Sequence, residues 1–380
     1  MSTTPALVHP TNPQPALHGE ALSALRKPFA DLRAQGLRSR DAAARLGVSE
    51  GAAMAAFAAS GMSPQDEADS LYSTTVLDGQ WHALLQGLET VGPVMALTRN
   101  DSVVHEKIGV YRNVSVHGGI GMALGAEIDL RLFLSHWHVG LHVLERTPKG
   151  EAHSLQFFDA HGQAVHKVHA REASDLSALE ALVQRHARPE ARPEFKPGLA
   201  PTTPDRPDAA IDRTGLAQAW ADMKDTHEFF SVLKRFEVGR LQSLRLMEGV
   251  HTRRTPLVAV EWLLKRAAGS SLPIMVFAGN AGCLQIHTGS VHRIAVMGPW
   301  LNVMDEGFNL HLRADHVSES WLVSKPTSDG VVTSIELFDA QGHLMAMFFG
   351  ERKPGKPELP GWRELAHSVA QADGGLAVAA

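Results

Sequence analysis

A gapless internal repeat constrains this chain more than any other feature. Of the 70 residues from 93 to 162, 17 recur identically 180 positions later. Pro93 falls on Pro273, Asn100 on Asn280, Gly109 on Gly289 and Gly118 on Gly298. The clearest block is SLQFFDAHG (154–162), which falls on SIELFDAQG (334–342). A long match at one lag means one fold module used twice. Two such modules bring equivalent sheets together, and their junction is a natural place for a ligand.

Element patterns within each copy set the fold class. VMALTRN, SVVHEKIG, IDLRLFL and HSLQFFD carry the alternation or β-rich composition of strands, and DAHG and DAQG read as turns. Helical composition precedes these strands over 18–60, and a closing helix is expected over 176–187. Residues 188–207 carry six prolines and read as a linker. The chain restarts with Asp212 as an N-cap and a long helix to about residue 235, then a helix over about 255–268. A second strand block runs from about 273 to 350. Helices then strands, twice over, imply an α+β fold: a tandem repeat in which each half is a mostly antiparallel β-sheet with flanking helices. The expected domains are a disordered tail 1–17, a first repeat 18–187, a linker 188–210, a second repeat 211–367 and a flexible tail 368–380.

Composition removes several function classes. At 380 residues the chain can build two full cores. A net charge of −5 with signs mixed along the chain argues against nucleic acid as a partner. The single cysteine, Cys283, excludes an internal disulfide framework and a cysteine-based zinc or iron–sulfur site. No apolar run reaches about 18 residues and the N-terminus lacks a signal-peptide core, so a soluble, cytoplasmic protein without membrane insertion is expected. One segment within 38–60, DAAARLGVSEGAAMAAFAASG, has a helix-turn-helix pattern with Ser49 as N-cap and Glu50 early in the second helix. A DNA-binding regulator would use it so. The second helix has no basic stripe, which favours an ordinary helical hairpin.

Two side chains stand out. In IDLRLFL, alternation puts Ile128, Leu130 and Leu132 on the core face and Asp129, Arg131 and Phe133 on the other. Arg131 and its repeat partner His311 therefore face away from the core, either solvated or toward a ligand. The second is His227, which falls in an apolar stripe with Leu216, Trp220, Met223 and Phe230 at helical spacing. It reads either as a hydrogen-bonded core histidine or as a neutral imidazole ligating a metal centre. With one cysteine and no HExxH or His/carboxylate cluster, such a centre suits haem, which brings its own four equatorial nitrogens. Haem also needs cations for its propionates, and Arg240, Lys325 and Arg352 are candidates that otherwise read as solvated surface charges.

At this point the chain resembles the HemS/ChuS/HmuS family of haem-degrading and haem-trafficking proteins over most of residues 25–367. The motifs that carry the likeness include ALTRNDSVVHEKIGVY, IDLRLFLSHW, AWADMKDTHEFFSVLKR, IMVFAGNAGCLQIHTG and SKPTSDGVVTSIELFDAQG. The resemblance implies haem b (iron protoporphyrin IX), as ligand or substrate, in a cleft of the C-terminal half roofed by the N-terminal half. It implies His227, in DTHEFF, as the axial ligand to the haem iron and Arg131, in IDLRLF, as the distal residue. It also implies Arg240, Lys325 and Arg352 as further basic residues toward haem. Two departures are visible. FFGER puts Phe349 where the family often has Tyr, and VSKPT has one positive charge fewer beside Lys325 than the family's TRKPT. The expected function is oxidative haem breakdown with iron release for iron acquisition. Its expected partners are an electron donor or reductase and the cytoplasmic side of a haem uptake system. The alternative on the same residues is a haem carrier or reservoir without turnover.

Overall fold

The structure, a computed structural model, describes residues 20–58, 70–201, 203–352 and 355–371. The tail expected over 1–17 lies outside these residues. The tail expected from 368 begins inside a helix that runs through Gln371, and residues beyond it are outside the described set.

The helices are α1 (Glu20–Ser23), α2 (Arg26–Ala34), α3 (Ser39–Arg45), α4 (Glu50–Ala55), α5 (Trp81–Val91), α6 (Leu176–His186), α7 (Arg213–Ala221), α8 (Glu228–Phe236), α9 (Arg240–Leu246), α10 (Ala259–Ser270) and α11 (Pro360–Gln371). The strands of the first repeat are β1 (Tyr72–Leu77), β2 (Val94–Arg99), β3 (Val103–Gly109), β4 (Ser115–His117), β5 (Ile120–Leu124), β6 (Asp129–Phe133), β7 (Val139–Thr147), β8 (Gly150–Phe158) and β9 (Ala164–Ala170). Those of the second are β10 (Thr252–Arg254), β11 (Ile274–Gly279), β12 (Cys283–Gly289), β13 (Ile294–Met297), β14 (Trp300–Asp305), β15 (Phe308–Arg313), β16 (Glu319–Thr327), β17 (Gly330–Phe338) and β18 (Leu344–Gly350). The lag seen in the residues is also a lag in structure. Strands β7, β8 and β9 return as β16, β17 and β18, and the register shift at Phe157/Phe158 returns at Leu337/Phe338.

The chain packs as two compact units. The first holds the described residues up to Leu97, with 108–201 and 281–283; the second holds 98–107, the described residues of 202–280, and those from 284 onward. Residues 98–107 belong by sequence to the first repeat. They pack in the second unit because β3 pairs antiparallel with β15, Leu310 opposite His105, and because Val103 enters that unit's core.

Within the first unit the strands run antiparallel in the order β1-β7-β8-β9-β2, with a separate meander β4-β5-β6. One face of the larger set packs Tyr72, Leu141 and Phe158 against Phe29, Met54 and Phe57 of the N-terminal helices. The other packs Leu155 and Phe157 against Leu84, Leu88 and Leu182. Period-2 pleating explains how Phe157 and Phe158 serve opposite cores. In the second unit the order is β10-β16-β17-β18-β11-β12, with β3-β15-β14-β13 as the other set. Trp321 and Phe338 pack under α7–α9, while Ile335 and Phe348 pack under α10 and α11 with Trp362.

The hairpin α3–α4 has the expected cap: the Ser49 side chain accepts from Ala52 N. Helix α4 buries Glu50, Gly51, Ala53, Met54 and Ala55, so it has no free face to lay in a groove. The long helix expected over 212–235 is a correction. The structure has α7 and α8 with a break over Asp222–His227. Asp212 does cap α7, its carboxylate accepting from Gly215 N. The break follows from local capture of backbone donors by acidic side chains. Asp225 accepts from His227 N at 2.8 Å, and Glu228 accepts from Lys224 N at 3.1 Å.

Candidate functional site

Because the helix breaks, His227 is not inside an apolar stripe. It is the N-cap residue of α8 and its side chain is 89% exposed. The turn before it is tied down: Ser328, in the β16–β17 turn, donates from N to Lys224 O at 2.9 Å. The imidazole Nδ1 lies 2.6 Å from Asp225 Oδ1. An ionised carboxylate can only accept, so Nδ1 carries the hydrogen, and in the neutral tautomer the lone pair is on Nε2. Among the described residues Nε2 has no bonding partner. The His227 backbone N–H is the largest influence holding the Asp225 carboxyl below its ordinary value. It prevails over burial, with help from the imidazole and the nearby Arg352 charge. Arg352 itself sits 3.7 Å from Asp329.

A second group of charges lies on the sheet of the same unit. Glu336 of β17 is fully buried. It accepts from Arg240 Nε at 2.8 Å, Arg240 Nη2 at 2.9 Å, Lys325 Nζ at 2.8 Å and Ser334 Oγ at 3.1 Å. Burial alone would raise the Glu336 carboxyl, but the charges and hydrogen bonds of Arg240 and Lys325 hold it well below the usual carboxylate range. Burial lowers Lys325 from its ordinary value, and Glu336 opposes that loss of charge. Arg240 opens α9, where a cation meets the unfavourable end of the helix dipole. The bidentate bond to Glu336 offsets this. A side chain in place of Gly239, just before it, would collide with Asp205.

The ring of Phe229, two residues after His227 in the chain, lies against the second group of charges. It is buried against Trp220 and lies 4.6 Å from Lys325 Nζ and 5.2 Å from the Arg240 guanidinium carbon. Its neighbour Phe230 is 74% exposed beside His227. Cross-strand register aligns Ser334 with Phe349, Glu336 with Met347, Met275 with Phe349 and Phe277 with Met347. The cations therefore share a sheet face with two methionines and two phenylalanines, and Phe277 meets Phe349 edge-on at 4.9 Å. Phe349, which has no hydroxyl, closes an aromatic contact rather than a hydrogen bond.

Arg131 lies in the first unit. Leu130 and Leu132 are fully buried while Arg131 is half-buried on the opposite face of β6, as alternation required. Its Nη1 bonds Asp129 Oδ1 and the Leu130 carbonyl. His311, its repeat partner, bonds Asn302 Oδ1 at 2.7 Å in the second unit.

The structure thus brings Arg240 and Lys325 together on one carboxylate. It sets Arg352 close enough to act on Asp225 beside His227, and ties Arg131 to its own strand neighbour. Sequence reasoning missed Asp225, Phe229 and Glu336. An Asp two residues before a helix-entry histidine was a readable signal for the first. A glutamate in the middle of an apolar strand, SIELF, was a readable signal for the last. Among the described residues no three His, Cys, Asp or Glu side chains converge as a metal site, and no helix is long and apolar enough to cross a membrane.

Comparison with known proteins bears on this arrangement. A family model described as the haemin-degrading HemS/ChuX domain matches residues 47–186 and 237–369. The hemin transport protein HmuS of Yersinia pestis is 40% identical over 290 residues, 76% of this chain and 83% of the relative. The crystal structure of holo-PhuS, a heme-binding protein from Pseudomonas aeruginosa, superposes with a TM-score of 0.85 at 44% identity, covering 92% of this chain and 99% of that one. The heme degrading enzyme ChuS of Escherichia coli O157:H7 gives a TM-score of 0.82 at 33% identity, with the same coverage of each chain.

Proposed function

This chain belongs to the haemin-degrading HemS/ChuX-domain family, and from that premise we propose that it binds haem b through His227 and opens the macrocycle oxidatively, releasing iron. The observation that carries this reading is the His227–Asp225 pair. A carboxylate on Nδ1 fixes the tautomer and orients the ring, the support that ligating histidines ordinarily have. The donor set fits the group. A neutral imidazole suits the iron, Met275, Phe277, Met347 and Phe349 suit an apolar macrocycle, and Arg240, Lys325 and Arg352 suit propionates.

Haem supplies the redox chemistry as substrate, with an external oxidant and an electron donor. The chain's own residues bind and orient it. Arg131 is proposed to donate hydrogen bonds where negative charge develops during oxidation. Arginine offers a planar fork of N–H donors, and Asp129 fixes its direction. A partner reductase and the cytoplasmic side of a haem uptake system are the proposed context. The test is a haem titration of the purified protein followed by ascorbate under air. A saturable Soret shift, then bleaching to a biliverdin-like product, supports degradation.

A second reading is haem delivery without turnover. The exposure of His227 favours it, because an accessible ligand exchanges readily with an acceptor. HmuS carries the description of a hemin transport protein, and a stable spectrum in the same experiment supports this reading.

A further inference from the structure

Of the three charges on the sheet face, only Arg240 is partly accessible: its side chain is 28% exposed, against 3% for Lys325 and 0% for Glu336. Two positive charges and one negative leave one positive charge in a buried setting. Arg240 uses Nε and Nη2 on Glu336, and Nη1 takes no part in those bonds. Phe229 limits where either cation can swing. A buried cluster of this kind is rigid because each member would lose bonds by moving.

The repeat supplies an internal comparison. Position 156, the counterpart of 336, is glutamine, and Gln156 Nε2 donates to Ser154 Oγ at 3.0 Å where Glu336 instead accepts from Ser334. Position 145, the counterpart of Lys325, is Glu145, bonded to Arg33 and Tyr72. The same strand frame thus accommodates a neutral amide at this place, and Lys167, opposite it on β9, donates to buried Glu50 at 2.6 Å.

We propose that Glu336 is a positioning residue: it fixes the direction and the charge of the Arg240–Lys325 pair, so that Arg240 presents a single net positive charge to one carboxylate of the ligand. Arg240 is the point of contact and Lys325 is charge held behind it. This rests on the reading of haem as the ligand, whose propionates are the carboxylates. It adds a residue that touches no ligand and works through Arg240, the one that does. The titratable groups facing Lys325 are Glu336 from β17 and Arg240 from α9, while Phe229 of α8 adds none. Without the Glu336 charge, buried Lys325 gives up its proton, and carboxylate binding must bring that proton back.

Haem and haem dimethyl ester, which lacks both carboxylates, are titrated into the full-length protein, E336Q and E336D near pH 6 and near pH 8. The wild type prefers haem to the ester equally at both values. E336Q loses about tenfold of that preference near pH 8 and regains part of it near pH 6, as Lys325 takes up a proton. E336D keeps the charge but not the reach, so its preference falls by the same factor at both values. Should E336Q fail to fold, E336D carries the test. A folded E336Q with the wild-type preference at both values overturns the proposal. So does a wild type that binds haem and ester equally, which leaves the haem reading intact. A wild type with no saturable Soret change for either ligand defeats both.

Discussion

Lys107 and His287 occupy the same place in the two repeats, 180 residues apart, and meet side chain to side chain: Lys107 Nζ donates to His287 Nδ1 at 3.3 Å. The His287 ring lies parallel to Phe308 at 3.8 Å between centroids, and His105 approaches the same phenyl at 5.0 Å. Both imidazoles are buried. Two residues that began as one have become a donor and an acceptor, which requires the histidine to stay neutral.

That requirement predicts acid sensitivity. Burial and Lys107 push His287 down to about 3, and burial and His169 push His166 down to about 3. Unfolded, each titrates near the ordinary histidine value of 6.5. The unfolded state therefore binds more protons below that value, so stability is fully present above it and is lost as pH falls toward 3. Each residue should cost about 2 kcal/mol by pH 5. Urea melts at pH 7 and pH 5 check this, and equal midpoints would contradict neutral burial.

Replacing His227 by Ala should abolish most haem binding without changing stability. The side chain is almost wholly exposed, and such surface changes usually stay within about 0.5 kcal/mol. Soret titration and a thermal melt on one sample separate the two effects.

Asp225→Ala should weaken haem binding by about tenfold, the lower end for loss of a carboxylate that holds a ligating imidazole. It should also slow any exchange-coupled step less than His227→Ala does. An unchanged dissociation constant would mean that the Nδ1 bond is only part of the turn.

Arg131→Ala should still bind haem to saturation, yet open the ring about a hundredfold more slowly. Single-turnover bleaching of the preformed complex measures this without interference from binding. Wild-type bleaching would remove Arg131 from the mechanism.

Much of the fold was legible where a period persists. In β6 the alternation of Leu130 and Leu132 against Asp129 and Arg131 read the two faces correctly. The lag of the repeat placed β11, β12, β15 and β17 once β2, β3, β6 and β8 were read. Periodicity misled at His227. Leu216, Trp220, Met223 and Phe230 keep helical spacing across a stretch where Asp225 and Glu228 take the backbone donors that a helix needs. Spacing registers phase, and side-chain capture leaves phase unchanged. Glu336 was hidden for another reason. Its partners lie 96 and 11 residues away, and only the folded sheet shows that one carboxylate serves both.

The exchange of residues 98–107 into the second unit bears on the ancestry of the chain. After an ordinary tandem duplication either copy can be deleted and the survivor still folds. Here a segment encoded in the first copy completes the second unit, and Gly282 and Cys283, encoded in the second copy, contribute to the first. Losing one copy would orphan a strand in the other. The duplication has become a ratchet: the copies can diverge only in place, as Gln156 and Glu336 have done while their strands kept the same register.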